Sequence, residues 1–460
     1  MKKRTLDPDA TLAPTYAARA FGDGIPKYRL PDAGLDAQAA YQLVHDELAL
    51  DGNPVLNLAS FVTTWMEPQA DQLGVETQSK NLIDQDEYPQ TEAIHRRVVS
   101  MIGDLFHAPS SGQAVGTATI GSSEAIMLGM LAHKRSWQHR RRAAGEPTER
   151  PNMVLGADVH TCWEKFARYF EVEPRVIPME EGRYTIAAEH VEPLIDERTI
   201  GVAGVLATTF TGGMDDLRSI NDMLARVERD RGLRVPMHID AATGGFILPF
   251  SEPDEAWDFR LSHVRSINVS NHKFGLVYPG MGTVVFRDSA DLPEELVFHI
   301  NYLGGDMPNY TLNFSRPAYG VILQYFSFVR LGHEGYRRVI TTALENARAL
   351  AAKLAKIEGL ELIEGGSRFP IVVARTTPGG PNVDLRVLSR RLRERGWILP
   401  AYTLPPNADH ITVLRMVIKE NVSRDMVELL AADVRSAFED LAHEAHAGPQ
   451  RPRTRRRPHC

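Results

Sequence analysis

Between about residue 58 and residue 345, short apolar runs alternate with longer stretches of helical period. Residues 117–120 predict a strand and 122–139 a helix. The pair recurs at 152–155 and 161–170, and again at 202–208 and 216–231. Further strands are expected at 237–240, 264–269 and 282–286. This alternation predicts an α/β domain, a mostly parallel sheet with helices on both faces. Ligands in such sheets bind beyond the carboxyl ends of the strands. The residues that follow each strand are therefore the candidates for chemistry.

The flanks read differently. Residues 1–57 form an arm broken at Ala13-Pro14-Thr15, Gly22-Asp23-Gly24 and Pro31-Asp32. Only residues 37–50 look helical, with Asp36 as N-cap. Such an arm is expected to pack on the main domain or on another subunit. Residues 58–345 make the large domain and 346–445 a smaller α+β domain. A long helix at 334–357 leads into strands near 360–363, 371–374 and 411–416, accompanied by helices at 385–395 and 423–442. Residues 446–460 hold Gly448, Pro449, Pro452 and Pro458 with five arginines, so no helix continues there.

Composition excludes several classes. A chain of 460 residues with 43% hydrophobic and 24% charged residues is ordinary for a globular protein of two or three domains. Its net charge of -7 argues against a general nucleic-acid binder. Two cysteines, Cys162 and Cys460, cannot build a disulfide framework or a metal cluster. No apolar stretch follows the basic start Met1-Lys2-Lys3-Arg4, and the uncharged run 201–214 is too short to span a bilayer. A cytoplasmic protein is the expectation.

Four motifs stand at strand ends. Gly121-Ser122-Ser123-Glu124 opens a helix, where free N–H groups and serine hydroxyls suit a phosphate, although a plain helix cap looks the same. His160 follows a strand and could stack on a flat heterocycle, or be a structural histidine. Asp240 ends an apolar strand and is followed by Ala241-Ala242, so its carboxylate could meet a protonated pyridine nitrogen while the small residues admit a ring. Ser270-Asn271-His272-Lys273 closes the set. A lysine there is a poor packing choice unless paired or deprotonated, and a desolvated amine can condense with an aldehyde. Together these parts describe a site for pyridoxal 5′-phosphate, far more specifically than any one of them.

At this point the chain resembles the glutamate decarboxylases of the pyridoxal-phosphate-dependent decarboxylase group, of bacterial type. The resemblance runs from about Asp36 to Ala442. It rests on Asn57-Leu58-Ala59-Ser60-Phe61, Asn81-Leu82-Ile83-Asp84, Gly121-Ser122-Ser123-Glu124-Ala125, Cys162-Trp163-Glu164-Lys165-Phe166, His238-Ile239-Asp240-Ala241-Ala242, His272-Lys273-Phe274-Gly275, Tyr302-Leu303-Gly304-Gly305 and Asn313-Phe314-Ser315-Arg316-Pro317. It implies fold type I, the aspartate-aminotransferase-like fold, with a seven-stranded sheet in the large domain. It implies that Lys273 is the Schiff-base lysine and that Ser122, Ser123, Ser270 and His272 hold the phosphate. Asp240 then pairs with the ring nitrogen, while Thr209 and Ala242 line the ring and His160 stacks on it. The α-carboxylate of L-glutamate is assigned to Arg415. The distal carboxylate falls to Ser60, Phe61, Asn81 and Asp84, with Ser315 from a neighbouring subunit. A shared site implies a homodimer, and bacterial relatives form hexamers through the arm. The expected product is 4-aminobutyrate. Asp84 beside a second carboxylate would share a proton with it, which favours acid pH.

Two departures qualify the resemblance. Bacterial relatives carry glutamine where this chain has His160, whereas histidine is the stacking residue in other decarboxylases of the group. In some relatives a penultimate histidine on a mobile tail plugs the site near neutral pH. Here His459 is penultimate, but Cys460 follows it and Arg455-Arg456-Arg457-Pro458 precede it. The tail from Ala447 onward lacks tryptophan and an amphipathic helix, which argues against a calmodulin-binding segment. Rival readings are an aminotransferase, a carbon–carbon lyase of the sphingosine-phosphate type, and a non-catalytic basic-tailed adaptor. Phe61, Asn81 and Asp84 weigh against the first two, and intact Lys273, Asp240 and Arg415 against the third.

Overall fold

The computed structural model describes residues 26–109, 113–301 and 307–447. The chain divides into two compact units after Pro54. In the first, helix α1 (Ala37–Leu48) begins at Asp36, whose carboxylate accepts from the backbone N–H of Gln38 and Ala39. That cap is the one expected from the sequence.

The second unit opens with two helices absent from the sequence reading, α2 (Pro68–Thr77) and α3 (Pro89–Leu105). Each has proline in its first turn, where the missing N–H costs nothing. The large sheet follows: β1 (Val115–Thr119), β2 (Asn152–Gly156), β3 (Glu173–Ile177), β4 (Thr199–Val205), β5 (Met237–Asp240), β6 (Val264–Val269) and β7 (Gly282–Phe286). The spatial order is β1-β7-β6-β5-β4-β2-β3. Strands β2 to β6 pair in parallel, and β7 runs antiparallel to both β1 and β6. The seventh strand, β3, is absent from the sequence reading because it is the edge. It carries Glu173, Pro174 and Arg175, and most of it is exposed.

Both faces of the sheet are covered, and the two-residue period shows why. In β2, Met153 and Leu155 join the cluster under helices α4 (Ser122–Ala143) and α5 (Thr161–Tyr169), while Val154 faces the opposite core. Helix α6 (Leu217–Arg231) is capped by Asp216, which accepts from Ser219 N–H. The helix expected from residue 334 is the second half of a longer one, α7 (Tyr319–Leu354). It bends where Gly332 leaves helical geometry (φ 57°).

A second sheet, antiparallel, follows: β8 (Leu360–Gly365), β9 (Ile371–Thr376), β10 (Ala401–Thr403) and β11 (Thr412–Val417), in the order β8-β9-β11-β10. Helices α8 (Leu385–Arg393) and α9 (Arg424–Ala447) cover one face. Alternation along β11 sends Leu414 and Met416 to that helical side and Val413 and Val417 into the core shared with the large sheet. Arg415 has the same parity as Val413 and Val417. The pleat therefore points its guanidinium at the large domain.

Candidate active site

The carboxyl ends of β2, β4, β5 and β6 and the amino end of α4 surround one cavity of about 400 Å³. Every residue assigned to the cofactor lines it: Ser122, Ser123, His160, Thr209, Asp240, Ala242, Ser270, His272 and Lys273. Strand ends and a helix start converge there because a parallel sheet places all its loops of one kind on one edge.

The phosphate end is built by close approach. Helix α4 starts after Gly121 with no side-chain cap, so its first N–H groups remain available. Ser122 Oγ and Ser270 Oγ share a 2.7 Å hydrogen bond that joins the helix start to the end of β6. A Cβ at Gly282 would stand 2.6 Å from the carbonyl carbon of Gly121 and 2.8 Å from Ser122 N, so glycine alone lets β7 lie against this turn. Glu124 does more than occupy the first turn. It accepts from Ile120 N at 3.0 Å, and from Leu312 N at 2.9 Å and Asn313 N at 3.2 Å, tying the 312–316 loop to the rim.

Lys273 sits in a turn held at both ends. Thr63 N donates to His272 O and Thr63 Oγ1 to Lys273 O. Asn271 bonds Gln324 and Thr283, and Tyr336 OH donates to Gly275 O at 2.7 Å. Lys273 Nζ donates to Thr243 Oγ1 at 3.1 Å and lies 4.9 Å from the Phe61 ring centre. It opens only to the cavity. Burial lowers the amine to about 8, with nearby Asp240 and Cys162 opposing and Arg415 assisting. His272 is likewise lowered, to about 4, by burial and by Lys273.

Asp240 is buried and accepts three hydrogen bonds: from Trp163 Nε1 at 3.0 Å, Asn268 Nδ2 at 3.0 Å and Ala242 N at 3.1 Å. His160 caps α5, its Nδ1 accepting from Cys162 N at 3.3 Å, which leaves Nε2 to carry the proton and fixes the ring at the cavity wall. Burial lowers its pKa, against the pull of Asp240.

Arg415 reaches the Lys273 side from the small sheet. Its Nη1 donates to Thr209 O at 2.5 Å and its Nη2 to Ala59 O at 2.7 Å. The guanidinium lies 4.7 Å from the Phe61 ring centre and 5.6 Å from that of Tyr402. Among the described residues no carboxylate forms an ion pair with it, and its Nε has no partner. A buried guanidinium held by backbone carbonyls, the Tyr402 side chain and ring faces, with no carboxylate beside it, is a socket for an anion.

The remaining substrate residues divide. Phe61 lies between Lys273 and Arg415, and Ser60 Oγ accepts from Val62 N close by. None of the six substrate residues lines the cavity itself, but Phe61 and Arg415 adjoin it through Lys273 and Thr209, whereas Asn81, Asp84 and Ser315 make no such contact. They gather elsewhere: Asn81 Nδ2 donates to Ser315 Oγ at 3.3 Å and its Oδ1 accepts from Arg316 N at 3.0 Å. Tyr302-Leu303-Gly304-Gly305 and His459 lie outside the described residues. Sequence reading missed Trp163, Thr243, Asn268, Tyr402 and Asp158. Trp163 stood within a quoted motif and Thr243 directly follows Asp240-Ala241-Ala242; the others touch the site through the fold. Asp158 lines the cavity with one carboxylate oxygen, Oδ2, that is buried and without a partner.

The residues present fit pyridoxal phosphate. An acceptor-only carboxylate, an amine of lowered pKa and a helix amino end with two serines converge on one cavity of suitable size. Among the described residues no group of three or more metal-ligating side chains is present, and no helix is long and apolar enough to cross a membrane.

Comparison with known proteins agrees with this geometry. The pyridoxal-dependent decarboxylase conserved domain matches residues 26–376. Glutamate decarboxylase 1 of Arabidopsis thaliana is 48% identical over 435 residues, covering 94% of this chain and 86% of that protein. The glutamate decarboxylase of Aliivibrio fischeri is 42% identical over 436 residues, 94% of each chain. The solved glutamate decarboxylase of Lactobacillus brevis superposes with a TM-score of 0.90 at 41% identity, covering 93% of this chain and 98% of that one. With such likeness along nearly its whole length, and with the cofactor cavity intact, the chain belongs to the glutamate decarboxylase branch of the pyridoxal-dependent decarboxylase family.

Proposed function

We propose that the chain removes the α-carboxyl group of L-glutamate, giving 4-aminobutyrate and carbon dioxide. The observation that carries this reading is the unpaired guanidinium of Arg415 beside Lys273, in a chain whose relatives are glutamate decarboxylases. When bound, pyridoxal phosphate supplies an electron sink for the pair left by the departing carboxylate.

The chain's own residues do the rest. Ser122, Ser123, Ser270 and His272 hold the phosphate at the amino end of α4. Asp240 would accept a hydrogen bond from the ring nitrogen and favour its proton there. His160, Ala242 and Thr209, which line the same cavity, would hold the ring. Lys273 Nζ, a buried amine of lowered pKa, would hold the cofactor at its aldehyde end. As a free amine facing the substrate it would be the group placed to deliver a proton to Cα. Arg415 holds the α-carboxylate, and Phe61, pressed against the guanidinium, keeps water from that end.

Selectivity for glutamate rests on the distal carboxylate. Ser60 and Phe61 approach it from the chain that owns the cavity. Asn81, Asp84 and Ser315 are assigned to it from a second copy, since none of them lines the cavity of its own chain or contacts Lys273 or Arg415 there. The catalytic unit is then a homodimer. Exposed Tyr41, Val44 and Leu48 on α1 support a further role for the arm in assembly. A proton shared between Asp84 and the substrate favours turnover at acid pH.

The test is direct. Purified protein loaded with pyridoxal phosphate is given glutamate, and 4-aminobutyrate, carbon dioxide and keto acid are measured. Stoichiometric 4-aminobutyrate and carbon dioxide are expected, and keto acid as the main product would overturn the reading. Lys273→Ala should bleach the bound cofactor's visible band and lower kcat by roughly 10²- to 10⁴-fold.

A further inference from the structure

Asp240 stands at the end of a buried chain of polar groups that reaches from the cofactor cavity through the sheet into α4. Asn268 Nδ2 donates to Asp240 Oδ1 at 3.0 Å. Asn268 Oδ1 lies 2.8 Å from His238 Nε2. His238 Nδ1 lies 2.7 Å from Ser266 Oγ, and Ser266 Oγ lies 3.0 Å from His133 Nε2. All four relay residues are buried. None of them lines the cofactor cavity.

Donor and acceptor rules fix the direction of every bond. Asp240 already accepts from Trp163 and Ala242, so the amide of Asn268 must turn its NH₂ toward Asp240. Asn268 Oδ1 can then only accept, which places a proton on His238 Nε2. In a neutral ring Nδ1 is left as an acceptor, so Ser266 O–H donates to it. Ser266 Oγ then accepts from His133 Nε2–H. His133 Nδ1 is left as a lone pair without a partner. Protonating His238 would turn its bond to Ser266 round, so that either the Ser266 O–H loses its acceptor or His133 must change tautomer. Burial opposes that cation: His238 is lowered to about 4, with Asn268 and Asp240 working against the shift. His133 is also held down by burial, with His238, Arg140 and Arg265 adding repulsion.

The packing is built around this chain. The ring of His238 meets Trp163 edge-on at 5.6 Å and His133 at 6.1 Å. Gly129 of α4 lies directly over it. A Cβ there would stand 2.6 Å from His238 Cε1 and Nδ1 and 3.2 Å from Ser266 Oγ. The helix has a glycine where a side chain would push the relay apart.

We infer that Asn268, His238, Ser266 and His133 form a neutral, one-directional hydrogen-bond relay that aims Asp240 at the cofactor's ring nitrogen, with His238 as the positioning residue. The inference rests on the pyridoxal-phosphate decarboxylase reading of the cavity. It concerns residues that touch neither substrate nor cofactor.

The test uses full-length holoenzyme. His238→Met removes the donor and keeps an apolar chain, and His238→Gln returns an amide donor near the position of Nε2. Ser266→Ala deletes one hydroxyl in the middle of the relay. Gly129→Ala deletes no hydrogen-bonding group and adds the obstructing methyl. The readouts are kcat and KM for glutamate, cofactor affinity, and the pH dependence of the cofactor's visible absorbance. His238→Met is expected to lower kcat tenfold or more with KM changed less than twofold, and to move the absorbance–pH midpoint. His238→Gln should recover most of both. Ser266→Ala and Gly129→Ala should move the midpoint in the same direction by less, and Gly129→Ala should also lower the melting temperature, although alanine normally favours a helix.

Equal behaviour of His238→Met and His238→Gln, or an unmoved absorbance curve in Ser266→Ala and Gly129→Ala, would overturn the relay. If His238→Met fails to fold, the two smaller variants decide. A wild-type protein that leaves glutamate untouched removes the substrate reading only, since absorbance and cofactor affinity still judge the relay.

Discussion

Lys273 shows how one residue's surroundings change its chemistry. A solvated lysine is almost wholly protonated near neutral pH. Lowered to about 8, it is roughly one-tenth free amine at pH 7. Loading of the apoprotein with pyridoxal phosphate should therefore quicken about tenfold per pH unit below 8 and level off above it. Stopped-flow absorbance checks this, and a rate still climbing at pH 10 would mean an ordinary lysine. Arg415 makes the opposite case, a cation that is desolvated and waiting. Arg415→Met should lower kcat/KM by roughly two to three orders of magnitude, because the substrate carboxylate loses its partner in a buried setting. Asp158 gives a stability prediction. Burial raises its carboxyl to about 7, with Asp240 adding repulsion and its own backbone N–H working against the rise. The folded state thus keeps a proton that the unfolded chain releases above its ordinary carboxylate value, so stability falls as pH rises from about 4 to about 7. Asp158→Asn, neutral at every pH, should be more stable than the wild type at pH 8, on the order of 4 kcal/mol at most, and nearly equal to it at pH 4. Denaturant unfolding at the two pH values checks this.

At the scale of elements, the site depends on backbones that approach closely. Gly282 lets β7 rest against the Gly121–Ser122 turn. Gly282→Ala should widen that turn and weaken cofactor binding about tenfold while circular dichroism stays native, an effect of roughly 1.4 kcal/mol. Equilibrium dialysis of pyridoxal phosphate measures it. Most of the elements around the cavity were legible, since β2, β4, β5 and β6 are apolar runs bounded by polar turns. The edge strand β3 was not, because an exposed edge is selected for charge rather than apolar period. Helix α2 was missed because it buries only Ala70 and Thr77, whereas α3 carries a legible stripe, Ile94, Val98, Ile102 and Leu105, that the reading passed over. The long helix was seen only after its bend, where Gly332 leaves helical geometry.

At the scale of the whole molecule, Asn81, Asp84 and Ser315 raise the question of ownership. If they complete a neighbour's cavity, two defective proteins can repair each other. Lys273→Ala subunits mixed with Asp84→Asn,Ser315→Ala subunits should regain about one quarter of wild-type activity after dissociation and reassociation, since half the random dimers each hold one intact site. No recovery above the sum of the parents would place the cluster in its own chain's site. Asp84→Asn alone should also weaken the preference for glutamate over aspartate, measured as the ratio of kcat/KM.

Much of the chemistry was settled by the chain alone. Lys273 after a strand, Asp240 before two alanines, and Ser122-Ser123 at a helix start together announce a pyridoxal-phosphate site, because the combination is specific where each part alone has an ordinary explanation. Strand alternation announced the α/β fold. Tertiary structure decided what depends on distance. It aimed Arg415 through the parity of β11, placed Phe61 between two cations, and lowered Lys273 by enclosing it. It also gathered His133, His238, Ser266 and Asn268 behind Asp240 and paired Asn81 with Ser315 across 234 residues of sequence. Desolvation and hydrogen-bond direction arise only when segments far apart in the chain meet, and no local pattern records that meeting.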